Sequence, residues 1–192
     1  MKIYDISNEL FTANVFPGDP APTQTPVLSI KNGDACNLTH IELGTHNGSH
    51  MDAPSHFYAD GRTIDKLDLE KCVGECTLIE HNGELTHREI ETIAAFSKKK
   101  LLIKGDVTIT ADAAQALVTY GYEFIGVEGL TVGPMDGPME VHLTLLCPKA
   151  EIVIAENLNL SDIPVGEYFL VCVPLKLGGL DGAPCRPILI GK

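Results

Sequence analysis

From residue 86 onward the chain alternates helix-length amphipathic segments with short apolar runs, and that alternation leaves few folds open. In LTHREIETIAAF, Thr86 and Glu89 stand at capping-box spacing ahead of a 3.6-residue apolar periodicity, which predicts a helix from about 87 to 97. KKKLLIKGD then reads as a buried strand around 100 to 104. TADAAQALVTYGY predicts a second helix, starting after Thr110 and closed by Gly121, and EFIGVEG a second strand. A short helix around 138 to 146, a strand at about 151 to 155 within EIVIAENL and another near 168 to 176 within YFLVCVPLKL continue the pattern.

The first 80 residues read differently, as strands and turns. VLSIKN (27–32), LTHIEL (38–43) and CTLIEH (76–81) have strand character, while VFPGDPAPTQTP (15–26) carries four prolines and a glycine and reads as a long loop without regular structure. A loop that long is a lid, a pocket wall or a connector. A β-rich first half followed by alternating strands and helices predicts an α/β fold, a mixed sheet with helices packed on it. At 192 residues the expectation is one domain over 1–192, because single cores grow to about 250 residues before chains divide.

Charge narrows the function. The formal net charge is −12 and the 14 Lys and Arg form no basic cluster, so a nucleic-acid partner is not expected. MKIYDISNELF has no apolar run behind a basic start and no stretch is long enough to span a bilayer, so a cytoplasmic protein without membrane contact is expected. The six cysteines, four of them in or beside apolar stretches, read as buried free thiols, and the three-residue gap in CVGEC is not the usual redox spacing.

HNGSHMDAPSH, residues 46–56, holds three of the seven histidines together with an aspartate. His46 and His50 are four apart, but Asn47-Gly48 signals a turn and Pro54 closes the segment, so a helix of the zinc-protease type is excluded. In extended chain His50 and Asp52 point to one side, and the turn can return His46 toward them. Two imidazoles and a carboxylate suit Zn, Mn or Fe, and three protein ligands leave a position for water, as in catalytic sites. His56 is then a further ligand or a proton shuttle, a choice that spacing leaves open. A His-rich surface turn and a closed structural metal site are the plainer readings. Glu156 ends the apolar run IVIA, where ligands of open α/β sheets gather; His142 alone carries little, and His40, His81 and His87 read as structural or exposed.

Taken together, these segments resemble the metal-dependent cyclase-type hydrolases, the family that includes bacterial kynurenine formamidases (arylformamidases) and isatin hydrolases. HNGSHMDAPSHF matches the pattern H-x-G-T-H-x-D-x-P-x-H with Ser49 at the threonine position, and FPGDP, VHLTLL with IAENL, and PLKLGGLDGAPCR resemble further family segments across nearly the whole chain. The resemblance implies a swivelling β/β/α fold and a homodimer or homotetramer. It implies one metal ion on His46, His50 and Asp52, with Asp52 bridging to a second ion bound by His142, and Glu156 touching both. Zinc, as one or two ions, is the implied metal, with manganese the alternative. His56 would donate and accept the proton, and Phe16, where formamidases carry tryptophan, would line the substrate pocket.

The expected activity is hydrolysis of a small N-formyl arylamine such as N-formylkynurenine, giving kynurenine in tryptophan catabolism. The rivals are a hydrolase or cyclase for another small cyclic amide, lactone or isatin-like compound, and a catalytically silent metal-binding protein.

Overall fold

The apolar runs of the second half form strands covered on both faces, which is why they read as continuous hydrophobic stretches and not as alternating ones. The computed structural model describes residues 1–191. Its strands are β1 (Lys2–Asp5), β2 (Thr23–Leu28), β3 (Leu38–Glu42), β4 (His50–Asp52), β5 (Val73–Glu80), β6 (Gly83–Leu85), β7 (Lys100–Lys104), β8 (Val107–Ile109), β9 (Phe124–Val127), β10 (Val153–Glu156), β11 (Gly166–Val171), β12 (Gly182–Pro184) and β13 (Ile188–Gly191). Its helices are α1 (Leu69–Cys72), α2 (His87–Ala94), α3 (Ala111–Thr119) and α4 (Met139–Leu145).

Nine strands make the main sheet, in the order β1-β13-β11-β5-β7-β9-β10-β4-β12. The central β5, β7, β9 and β10 are parallel, and antiparallel strands complete both sides. The α/β class with a mixed sheet is therefore borne out. Strand pleating sends Leu101, Ile103, Ile125, Val127 and Ile154 into a core shared with α2, α3 and α4. Leu102, Phe124, Val153 and Ala155 enter a second core on the opposite face with Ile6, Met51 and Cys76.

The helix signals hold where they are local. Both halves of the capping box form, with the Thr86 hydroxyl and the Glu89 carboxylate reciprocally engaged, and α2 itself closes at Ala94. Thr110 caps α3 by accepting from the Ala113 amide, and Gly121 turns the chain with φ +67.

Three strand readings change. Residues 23–26, read as irregular, belong to β2, which tolerates Pro26 because it pairs only with β3 and its register shifts between Pro26 and Leu28. VLSIKN ends as strand at Leu28; Ile30–Asn32 wind into a 3-10 turn closed by Gly33 at φ 95. The run read near 168–176 lies earlier, at Gly166–Val171, because Pro174 allows only an isolated bridge to Cys185. Of the cysteines, Cys72, Cys76 and Cys172 are buried, whereas Cys147 and Cys185 are half-buried and Cys36 is exposed. Among the described residues no helix is long and apolar enough to cross a membrane.

Candidate metal centre

The site is assembled by strand register. β4 lies between β10 and β12, with His50 opposite both Glu156 and Pro184 and Asp52 opposite both Ile154 and Gly182. Because alternate residues of a strand share a face, His50, Asp52 and Glu156 project on the side where Ile154 meets the helices. His142 arrives from α4, which packs on that side.

Local turns place the rest. Gly48 takes φ +63 in the Asn-Gly turn, and the Asn47 side chain accepts from the Gly44 amide at 2.7 Å and donates to the Pro20 carbonyl at 3.1 Å. This returns His46 toward Asp52, with His46 Nδ1 2.9 Å from Asp52 Oδ1. A 3-10 turn over Pro54–His56, with proline in its first turn, carries His56 to the rim, where its side chain is 30% exposed. Beyond Glu156, Asn157 adopts φ 57 and its carbonyl accepts from the Ser49 hydroxyl at 2.6 Å, tying the end of β10 to the turn before His50.

The donor atoms fall into two connected sets. His50 Nε2 lies 3.5 Å from Asp52 Oδ1 and 3.4 Å from Glu156 Oε2, while His142 Nε2 lies 3.4 Å from Asp52 Oδ2 and 3.1 Å from Glu156 Oε1. Each carboxylate thus offers one oxygen to each side. The backs of both rings are tethered, His50 Nδ1 to the Gly48 carbonyl and His142 Nδ1 to the Pro138 carbonyl, each at 2.9 Å. Donation from Nδ1 to a carbonyl leaves Nε2 as the lone-pair atom, the outer-shell arrangement typical of histidine ligands. Ligand atoms of His50, Asp52 and Glu156 all lie within 4.8 Å of one another, as do those of His46, Asp52 and His56.

This donor set fits a divalent cation. Asp52 is 1% exposed, yet its Oδ2 has no hydrogen-bond partner, an expensive arrangement for a buried carboxylate unless a cation is its partner. The field points the same way. Burial alone would lower the pKa of His46 and His142, but Asp52, helped by Asp181 at His46 and by Glu156 at His142, outweighs it and pushes them up to about 9 and about 10. Burial likewise opposes the Asp52 charge, and the surrounding imidazoles still hold its carboxyl well below the usual range. At His56 burial dominates and the pKa falls.

The cluster floors a cavity of about 190 Å³ lined by Phe16, Phe57, Leu130, Thr131, Pro138 and the histidines. Phe16 lies on its wall. His46, His50, Asp52, His56, His142 and Glu156 converge, although the last two lie far along the chain. His40 and His87 are exposed, and His81 bonds the Glu84 carbonyl. Sequence reading missed Asp181, whose Oδ2 is 2.9 Å from His46 Nε2, and Val132, whose amide donates to Glu156 Oε1 at 2.7 Å. The only sequence signal for Asp181 is its place in PLKLGGLDGAPCR.

Gly182 follows Asp181 for a steric reason. A Cβ there would stand 2.7 Å from His46 Cε1 and 3.0 Å from the Met51 carbonyl oxygen. Gly182→Ala is therefore expected to displace the His46 ring, costing about 1–3 kcal/mol by overpacking. Thermal melts and metal content should both fall; unchanged values in both would contradict the packing argument.

A carboxylate-bridged His/Asp/Glu cluster beneath a small partly apolar cavity, on a mixed α/β sheet, defines a metal-dependent enzyme for small molecules. The chain belongs to the cyclase family: the family model described as Cyclase (Putative cyclase) matches residues 4–134. It is similar to the kynurenine formamidase of Salinibacter ruber, 32% identical over an alignment 209 positions long that covers 98% of this chain and 97% of the relative. A solved structure described as a predicted metal-dependent hydrolase from Bacillus stearothermophilus superposes with a TM-score of 0.83 at 28% identity, covering 98% of this chain and 97% of that one. Isatin hydrolase A from Labrenzia aggregata shares the fold, with a TM-score of 0.83 at 19% identity over 100% of this chain and 94% of its own.

Proposed function

We propose that the chain is a metal-dependent amide hydrolase that removes formate from a small N-formyl arylamine, with N-formylkynurenine the substrate and kynurenine the product. The observation that carries this reading is a histidine, His56, at the mouth of a cavity whose floor already offers two donor sets, around His50 and around His142, joined by Asp52 and Glu156. Curated relatives that cover nearly the whole chain and are named for this activity support it.

His46, His50, Asp52 and Glu156 would hold one zinc ion, and His142 with the other oxygens of Asp52 and Glu156 a second; manganese is the alternative. Bound there, a divalent ion lowers the pKa of water and polarises a carbonyl oxygen. The chain supplies the rest. Phe16, Phe57 and Leu130 give the arene an apolar wall and exclude water around it. His56 takes a proton from the attacking water and returns it to the amine nitrogen as the C–N bond breaks. Water is consumed, and formate and the arylamine leave. The proposed setting is the cytoplasm.

The assay is direct. Zinc-reconstituted protein, with N-formylkynurenine and isatin as parallel substrates, should release kynurenine and leave isatin the poorer substrate. Faster ring opening of isatin would transfer the reading to cyclic amides, and stoichiometric zinc without turnover of either would favour a silent metal-binding protein.

The proposed assembly is a homo-oligomer, dimer or tetramer. Every residue of β2 and β3 is exposed, including Val27, Leu28, Leu38 and Ile41. The chain's accessible surface of 9932 Å² also exceeds the roughly 8,900 Å² usual for a monomer of this mass. Light scattering should give at least twice the 20.7 kDa of one chain, and Val27→Lys with Ile41→Lys should shift it toward the monomer.

A further inference from the structure

Asp181 has no place among the metal donors or the proton carrier, yet its carboxylate touches both. Oδ2 lies 2.9 Å from His46 Nε2 and 3.4 Å from His56 Nδ1, and Oδ1 accepts the Thr45 hydroxyl at 3.2 Å. Its backbone is fixed as well, since the Asp181 carbonyl accepts from the Ala53 amide at 2.9 Å, between Asp52 and Pro54. The two imidazoles that share this oxygen lie against each other, with ring centroids 4.1 Å apart.

A neutral imidazole has one N–H, and the acceptor it finds decides which nitrogen carries it. An ionised carboxylate only accepts, and His46 lies between two, Asp181 Oδ2 at Nε2 and Asp52 Oδ1 at Nδ1, each at 2.9 Å. Because Asp52 is itself a ligand, a bound metal takes its side and the proton goes to Nε2, while the 3.4 Å approach of the same Asp181 oxygen favours the proton on Nδ1 of His56. In His46 this leaves Nδ1 with the lone pair, beside Asp52 Oδ1, where a ligand atom is needed. In His56 it leaves Nε2 as the free acceptor. We propose that Asp181 is a positioning residue that sets the tautomers of His46 and His56 together through one oxygen, so that ligand orientation and proton-transfer geometry are fixed by the same side chain. This rests on the ligand role of His46 and the shuttle role of His56 given above. It also explains why Asp181 precedes Gly182: with no Cβ at Gly182, the carboxylate's own loop can lie against the His46 ring.

Asparagine keeps the shape of aspartate but replaces one acceptor oxygen with a donor and removes the charge. The test is Asp181→Asn, with Asp181→Glu as a second variant that retains the carboxylate, each made in the native chain and in His56→Ala. Zinc-loaded proteins are assayed on N-formylkynurenine, and zinc retention is measured against EDTA. In the native background Asp181→Asn should lower kcat about 10–100-fold, leave KM within about 2-fold and weaken zinc retention about 10-fold, with Asp181→Glu recovering part of each loss. In His56→Ala the same substitution should weaken zinc equally but cost kcat little, because the proton carrier it orients is gone. Native kcat and zinc retention in Asp181→Asn would overturn the proposal. So would a full kcat loss repeated on His56→Ala, which would separate Asp181 from His56, or complete loss of zinc, which would make Asp181 a ligand. If His56→Ala alone keeps full turnover, the shuttle reading fails with the His56 half of the proposal, while the zinc measurement still reports on His46.

Discussion

Asp52→Asn is expected to yield a folded protein that retains no zinc and has lost at least about 10³-fold in hydrolysis. The expectation rests on the two oxygens of Asp52 facing both donor sets, Oδ1 toward His46 and His50 and Oδ2 toward His142. Asparagine fills the same space between Met51 and Ala53, so the buried strand should survive, but its NH2 places a donor where a lone pair is required. The stability readout separates ligand loss from misfolding. A ligand at about 100 times its Kd stabilises the native state by about 2.7 kcal/mol. EDTA should therefore lower the native Tm by roughly 5–10 °C for a chain of this size and leave Asp52→Asn unmoved. Full zinc content in Asp52→Asn would remove Asp52 from the ligand set.

The same residue shows what could be read from the sequence and what could not. The convergence of His46, His50 and Asp52 is local physics: a positive-φ glycine after asparagine reverses the chain, and strand alternation puts positions 50 and 52 on one face. β7 was legible because burial on both faces leaves only apolar side chains between its terminal lysines, and α2 because its capping box is written in four residues. β4 had no such signature. It is three residues long, and it is a strand because β10 and β12 flank it, about 100 and 130 residues further along.

Glu156 and His142 came from position and resemblance, since nothing local distinguishes a ligand glutamate from any other after an apolar run. The register that sets Glu156 opposite His50 supplies the missing information. Asp181 illustrates the limit. In GGLDGAP it reads as a turn aspartate, and its contact with His46 spans 135 residues. The start of β2, residues 23–26, departs from its sequence reading for the converse reason: Pro22 and Pro26 argue against a strand, and an exposed two-stranded sheet is where a strand accommodates them.

His56→Ala should behave in the opposite way to Asp52→Asn, keeping its zinc and losing about 10²–10⁴-fold in kcat, the range general acid–base catalysis contributes. His56 lies outside both sets bridged by Asp52 and Glu156, on a 3-10 turn at the rim, where it packs edge-on against Phe57 and is reached by Asp181. Burial holds its pKa below the usual value, so at neutral pH the imidazole is in the basic form that can take a proton from water. KM should change little, because the apolar wall proposed to receive the arene is made by Phe16, Phe57 and Leu130. Added imidazole should restore part of the lost kcat, since the truncated side chain leaves space beside the cavity mouth and a small base can occupy it. One competing arrangement is built into the same site: His46, Asp52 and His56 also lie close enough together to share a cation. Zinc content decides between them. If His56→Ala loses zinc in proportion to activity, the third histidine of HNGSHMDAPSH is a ligand and the proton must move through another group.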